Sequence, residues 1–166
     1  IVPLAISYEF DPCDFLKAKE FQQRRDTEDF HKGPMDDVTS MKTGIFGYKG
    51  FVHYHCAPCI DDYLSTLDPK APKGVLFETI AQHIDSEIHR NYRLYPNNYI
   101  ALDELRGTDH SDKYTTADKQ TFDKYLAGQL QKIDLPNKDE AFLHERMLTM
   151  YANPAINFAK ANGLPE

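Results

Sequence analysis

The sequence predicts a mixed α/β fold in which two strands precede a helix-rich C-terminal part. Three observations predict it. Ile1 to Tyr8 is an apolar run dense in Ile, Val and Leu, Phe51 to Cys56 alternates in side-chain character, and apolar residues recur at helical spacing from Phe77 onward. The first has the composition of a central parallel strand covered on both faces, the second the period of a strand, and the third that of amphipathic helices.

Taken in order, Ile1-Val2-Pro3-Leu4-Ala5-Ile6-Ser7-Tyr8 reads as a buried strand that needs more neighbours than this sequence supplies, and we expect an N-terminal part to precede it. Asp11-Pro12 is a helix start, because Asp accepts from an orphan N–H and Pro suits the first turn. Phe15, Ala18 and Phe21 form the expected apolar face of that helix, with Lys17, Lys19, Gln22 and Arg24 outside. Asp26 to Pro34 reads as a polar loop, and Val38, Met41, Ile45 and Phe46 as a second helical stripe stopped by Gly47-Tyr48-Lys49-Gly50.

Next comes the strand from Phe51 to Cys56, with Phe51, His53 and His55 opposed to Val52, Tyr54 and Cys56, ending at Pro58. Asp61 to Gly74 reads as a surface excursion. Phe77, Ile80, Ala81, Ile84 and Ile88 form the clearest 3.6-residue stripe in the chain. Tyr92 to Leu105 reads as irregular or briefly extended around Pro96-Asn97-Asn98. Thr115 with Asp118 caps a helix through Phe122, Tyr125, Leu126 and Ile133, and Asn137 with Glu140 has capping-box spacing before Phe142, Leu143, Met147, Leu148 and Met150. Asn153-Pro154 then opens a last short helix that Gly163 closes.

Composition narrows the function. At 166 residues with 41% hydrophobic and 27% charged residues, the chain is long enough for one globular core burying roughly 70% of its unfolded surface. Nineteen Lys and Arg against 26 Asp and Glu leave a net charge of −7, which opposes adhesion to nucleic-acid phosphates, so no nucleic-acid partner is expected. No segment approaches the roughly 18 consecutive apolar residues of a membrane span. Three cysteines, Cys13, Cys56 and Cys59, cannot all pair within one molecule, and the expected compartment is the reducing cytoplasm. No repeat and no Ser-rich or Gly-rich linker divides residues 1–166, which read as a single domain or fragment.

Two clusters could carry chemistry. His53, His55, Cys56 and Cys59 are all zinc-donor types, yet on a regular strand His53 and His55 share one face while Cys56 points to the other. The plain alternative is a core strand with two ordinary thiols, and no metal is assigned. His31 and Asp36 have the spacing of a general base and its orienting carboxylate, but Gly33 and Pro34 intervene and no strand delivers the histidine, so a solvated loop is expected. Arg90, Tyr92, Arg93, Tyr95 and Tyr99 mix base and aromatic character in the manner of a stacking platform, and on an acidic chain read better as tyrosines packed over a core. Gly-x-Ser-x-Gly, Walker and dinucleotide-binding motifs are absent.

The run Ile1-Val2-Pro3-Leu4-Ala5-Ile6-Ser7-Tyr8 resembles the Val-Pro strand of the glycerolipid acyltransferase family, and Lys49-Gly50-Phe51 through Ile60 resembles that family's next strand. Ile6-Ser7-Tyr8-Glu9, Asp11-Pro12-Cys13-Asp14, Leu16-Lys17, Thr43-Gly44-Ile45, Tyr92-Arg93 and Asn98-Tyr99-Ile100-Ala101 are similar to the C-terminal half of a Bacteroides-type bacterial branch. The resemblance implies that residues 1–60 end the acyltransferase core and that 61–166 form a helical tail.

That likeness implies transfer of a fatty acyl group from acyl-CoA or acyl carrier protein to glycerol 3-phosphate or lysophosphatidate, in phospholipid synthesis, with no cofactor beyond the thioester. Val2, Pro3 and Leu4 are the residues it carries over, as walls of the acyl or acceptor site. The family's His-x-x-x-x-Asp block and its phosphate-binding block precede the Val-Pro strand, so no catalytic residue is expected in this chain. Its implied partners are the missing N-terminal half and the two substrates, and its implied location is the cytoplasm with peripheral contact at the inner membrane.

Overall fold

The computed structural model describes residues 1–164. The elements are β1 (Leu4–Tyr8), α1 (Asp14–Asp26), α2 (Asp36–Phe46), β2 (Val52–Cys56), α3 (Asp61–Ser65), α4 (Lys73–Arg90), α5 (Pro96–Arg106), α6 (Thr116–Gln131) and α7 (Glu140–Asn162). The fold is mixed and mostly helical. Its two strands pair with each other in an antiparallel ribbon, Leu4 opposite Cys56, Ile6 opposite Tyr54 and Tyr8 opposite Val52.

The core lies among α1, α5, α6 and α7. Long α7 is its centre: Leu143, Met147, Tyr151, Ala152 and Ala155 descend one face and meet Ile100, Ala101 and Leu102 of α5, Phe122 and Leu126 of α6, and Ala18 of α1. Burying a Leu, Met or Phe side chain is worth about 1.5–3 kcal/mol, so this cluster, which Phe10 joins from just beyond β1, holds the helices together, whereas the buried apolar side chain of the ribbon itself is the small Ala5.

Several expectations change. β1 is not a parallel strand covered on both faces: Ala5 is buried and Leu4, Ile6 and Tyr8 are exposed, because this chain covers only one side of the ribbon. On α1 the fully buried stripe is Asp14, Ala18 and Gln22; of the expected apolar face Ala18 is buried and Phe15 packs against the core, while Phe21 is exposed. Gln22, expected outside, is enclosed because its amide finds partners there, donating to the Asn137 carbonyl at 2.7 Å and accepting from Asp139 N at 3.1 Å.

The segment expected to be irregular around Pro96 is the helix α5. Pro96 takes the first helical position, Asn98 Oδ1 accepts from Tyr95 N at 2.8 Å, and Gly107 ends the helix in the left-handed region at φ 68°. The excursion after Asp61 contains the short α3. α7 is capped by Asp139, whose Oδ1 accepts from Phe142 N at 3.1 Å, rather than by Asn137. It also runs unbroken through Pro154, where a separate helix was expected. An interior proline costs about 3 kcal/mol, and the packed residues Tyr151, Ala152 and Ala155 on either side of it offset that cost.

Candidate functional site

The ribbon separates its side chains by the strand period of two. Leu4, Ile6 and Tyr8 share the outer face with their partners Cys56, Tyr54 and Val52, all exposed, and Val2 continues that face. Ala5 and Ser7 point inward, and the Ser7 hydroxyl accepts from Arg93 N at 2.9 Å, tying the ribbon to the segment before α5. Of the three expected wall residues, Val2 and Leu4 therefore lie on the open surface, while Pro3 is buried and its carbonyl accepts from Ala57 N at 2.9 Å.

Along β1 runs a cleft of about 160 Å3 whose lining includes Ile6, Tyr8, Asp11, Arg93, Asn98 and Tyr151. Tyr151 forms its back wall and is fixed from behind. Its hydroxyl accepts from Asp11 N at 3.0 Å and donates to Asp14 Oδ2 at 2.8 Å. The other carboxylate oxygen of Asp14 accepts from Phe15 N at 2.6 Å and from Gln129 Nε2 at 2.5 Å. Gln129 also donates to the Tyr125 hydroxyl at 2.8 Å, and Tyr125 in turn donates to the Asp11 carbonyl at 3.1 Å.

Burial dominates the electrostatics here. Asp14 is fully enclosed and its pKa is pushed up to about 6, the hydrogen bonds from Tyr151 and Phe15 only partly offsetting desolvation. Desolvation, followed by the nearby Asp14 charge, drives Tyr125 and Tyr151 upward as well, so both stay protonated donors. The network holds the cleft wall rigid. Gln22 was expected outside, and nothing in the local pattern marks Asp14 or Gln129 as buried; the available signal was the helical spacing that puts Asp14, Ala18 and Gln22 on one face.

The other candidates stay apart. Asp36 Oδ2 accepts from Gly33 N at 2.8 Å, and His31 is an exposed loop residue. His53 and His55 are half-buried on the inner face of β2, whereas Cys56 and Cys59 are exposed. Among the described residues no group of three or more His, Cys, Asp or Glu is placed to hold a metal ion. Nor do the basic and aromatic residues form a platform. Arg90 pairs with Glu87 at 2.7 Å, Tyr95 is buried, and the Tyr99 ring lies against His110.

No family model, no curated protein and no solved structure matches the chain. Among the described residues no helix is long and apolar enough to cross a membrane.

Proposed function

We propose that this chain is the C-terminal part of a glycerolipid-type acyltransferase, which moves a fatty acyl group from acyl-CoA or acyl carrier protein to glycerol 3-phosphate or lysophosphatidate. In this reading the chain supplies one wall of the substrate region and an N-terminal part supplies the base and the phosphate-binding block. The enzyme works in the cytoplasm with peripheral contact at the inner membrane. By itself the chain is inactive, since a positioned base contributes about 10²- to 10⁴-fold in rate.

The observation that supports the reading is the open outer face of the ribbon. Val2, Leu4, Ile6 and Tyr54 are 55%, 43%, 37% and 61% exposed, an apolar surface shared by the segment that carries the Val-Pro resemblance and its partner strand β2. An isolated two-stranded ribbon is marginal in water, and a contiguous exposed apolar face marks a binding groove or an interface. A further sheet layer bearing the catalytic block would cover it.

The deciding experiment is the intact mass and N-terminal sequence of the protein isolated from its native cell, followed by an acyl-transfer assay on that material. A mass above the 19.1 kDa of this chain, a His-x-x-x-x-Asp block upstream of Ile1 and thioester-dependent acylation are expected. A native chain of that mass starting at Ile1, or acyl transfer by residues 1–166 alone, overturns the reading.

A second reading, a helical interaction module, is favoured by α2. None of its residues is buried, and Val38, Met41, Ile45 and Phe46 are 50%, 66%, 66% and 81% exposed. Stable association of the complete native protein through this helix, without acyl transfer, would establish it.

A further inference from the structure

A second cavity, of about 260 Å3, lies between α5, α7 and the loop that follows Gly107. Its walls are chiefly apolar, built from side chains such as Leu94, Leu102, Ile156 and Phe158, and His110 is among the polar groups that line it. The volume falls just below the roughly 300–1,000 Å3 of typical small-molecule sites.

Asp103, on the last turn of α5, fixes the histidine. Its Oδ1 accepts from Thr108 Oγ1 at 2.8 Å and faces His110 Nδ1 at 2.6 Å, while Oδ2 accepts from His110 N at 2.8 Å and from Tyr114 OH at 2.9 Å. Burial opposes the charge on Asp103, but the bonds from His110, Thr108 and Tyr114 outweigh it and hold the carboxyl below the usual range. An ionised carboxylate has only acceptor capacity, so Nδ1 carries the proton. In the neutral ring Nε2 is then the acceptor, and it has no hydrogen-bond partner among the described residues.

The charges around the mouth are mixed. Lys113 is paired with Asp112 at 2.7 Å, and the Asp103 and Asp109 carboxylates lie close to His110, which gives little reason for an anionic head group to bind beside the histidine. What remains is an apolar chamber with one oriented acceptor. We propose that this cavity binds a small apolar alcohol or phenol, whose carbon body fills the space between Leu102 and Phe158 and whose hydroxyl donates to His110 Nε2. The cavity shares no lining residue with the cleft beside the ribbon, and the proposal stands apart from the acyltransferase reading.

The test is calorimetric titration of the protein with p-cresol and with toluene, which differ by the hydroxyl alone. p-Cresol should bind about tenfold more tightly, the equivalent of one net hydrogen bond. His110→Phe should erase that preference, and Ala159→Phe, which fills the chamber, should abolish both. In 15N-labelled unsubstituted protein, p-cresol should shift the His110 Nε2 resonance and toluene should not, a readout that needs no variant to fold. Equal affinity for the two ligands, failure of both to bind, a preference that survives His110→Phe, or a silent Nε2 resonance overturns the proposal.

Discussion

The Tyr151 hydroxyl donates to Asp14 Oδ2 across 2.8 Å, joining residues 137 positions apart in the chain. The same oxygen accepts from Asp11 N, so one phenol ties the central helix α7 both to the first turn of α1 and to the segment that leaves β1. The cleft beside the ribbon inherits its back wall from this contact.

Asp14 makes stability depend on pH in an unusual sense. Its folded pKa of about 6 exceeds the unfolded value near 3.8, so the native state holds the proton more tightly. The contribution is fully present below about pH 4 and is lost as pH rises through 6, a change of about 3 kcal/mol. Urea unfolding at pH 4, 5, 6 and 7 should show this decline in the unsubstituted chain relative to Asp14→Asn. Parallel profiles for the two proteins would refute the assignment.

Tyr151→Phe removes a donor from a buried carboxylate and an acceptor from Asp11 N while keeping the ring. Loss of a hydrogen bond to a buried charged group costs about 1.5–3 kcal/mol. Because the Tyr151 bond holds the Asp14 pKa down, the pH midpoint seen in unfolding should also move upward in this variant. A midpoint that stays in place would show that the two groups are not coupled.

Gly50 is the turn on which β2 depends. It sits at φ 62°, and a Cβ there would run into the Glu9 carboxylate, which accepts from Phe51 N at 2.9 Å. Gly50→Ala combines a left-handed backbone penalty of about 1–2 kcal/mol with the loss of that contact. Its chemical-denaturation midpoint should fall clearly, whereas Gly74→Ala, with open space around it, should not.

Leu4→Glu tests whether the outer ribbon face is used. At 43% exposure on the outer ribbon face, the position should tolerate the change within about 0.5 kcal/mol when residues 1–166 are unfolded in urea. The proposed function requires the same substitution to lower acyl transfer by the native protein at least tenfold. Unchanged transfer would remove the ribbon face from the substrate region.

Much of the architecture was legible in local sequence. The Thr115 and Asp118 pair caps α6 as its spacing predicts, with Thr115 Oγ1 accepting from Asp118 N at 3.2 Å, and the alternation across His53, Tyr54 and His55 places each residue on the expected face. The clearest stripe, Phe77 to Ile88, does form a helix, but Phe77 is 69% exposed, because periodicity reports an apolar face and not what covers it. The polar network was illegible for a related reason. Asp14, Gln22 and Gln129 look like surface residues until their partners on other helices are known, and buried polar groups persist only where such partners exist.

What the sequence determined by itself is the two strands, the helical stripes of α1, α2, α4 and α6, and the Thr115 cap and Gly47-Tyr48-Lys49-Gly50 turn, which act within a few residues. Tertiary structure alone decided that β1 pairs antiparallel with β2 and leaves Leu4 and Ile6 open, that α7 passes straight through Pro154, and that Asp103 orients His110 beside a cavity. Each of those outcomes depends on contacts the local pattern does not encode. Hydrogen bonds and packing against distant or newly turned segments outweigh a propensity of a few kcal/mol once the core has formed.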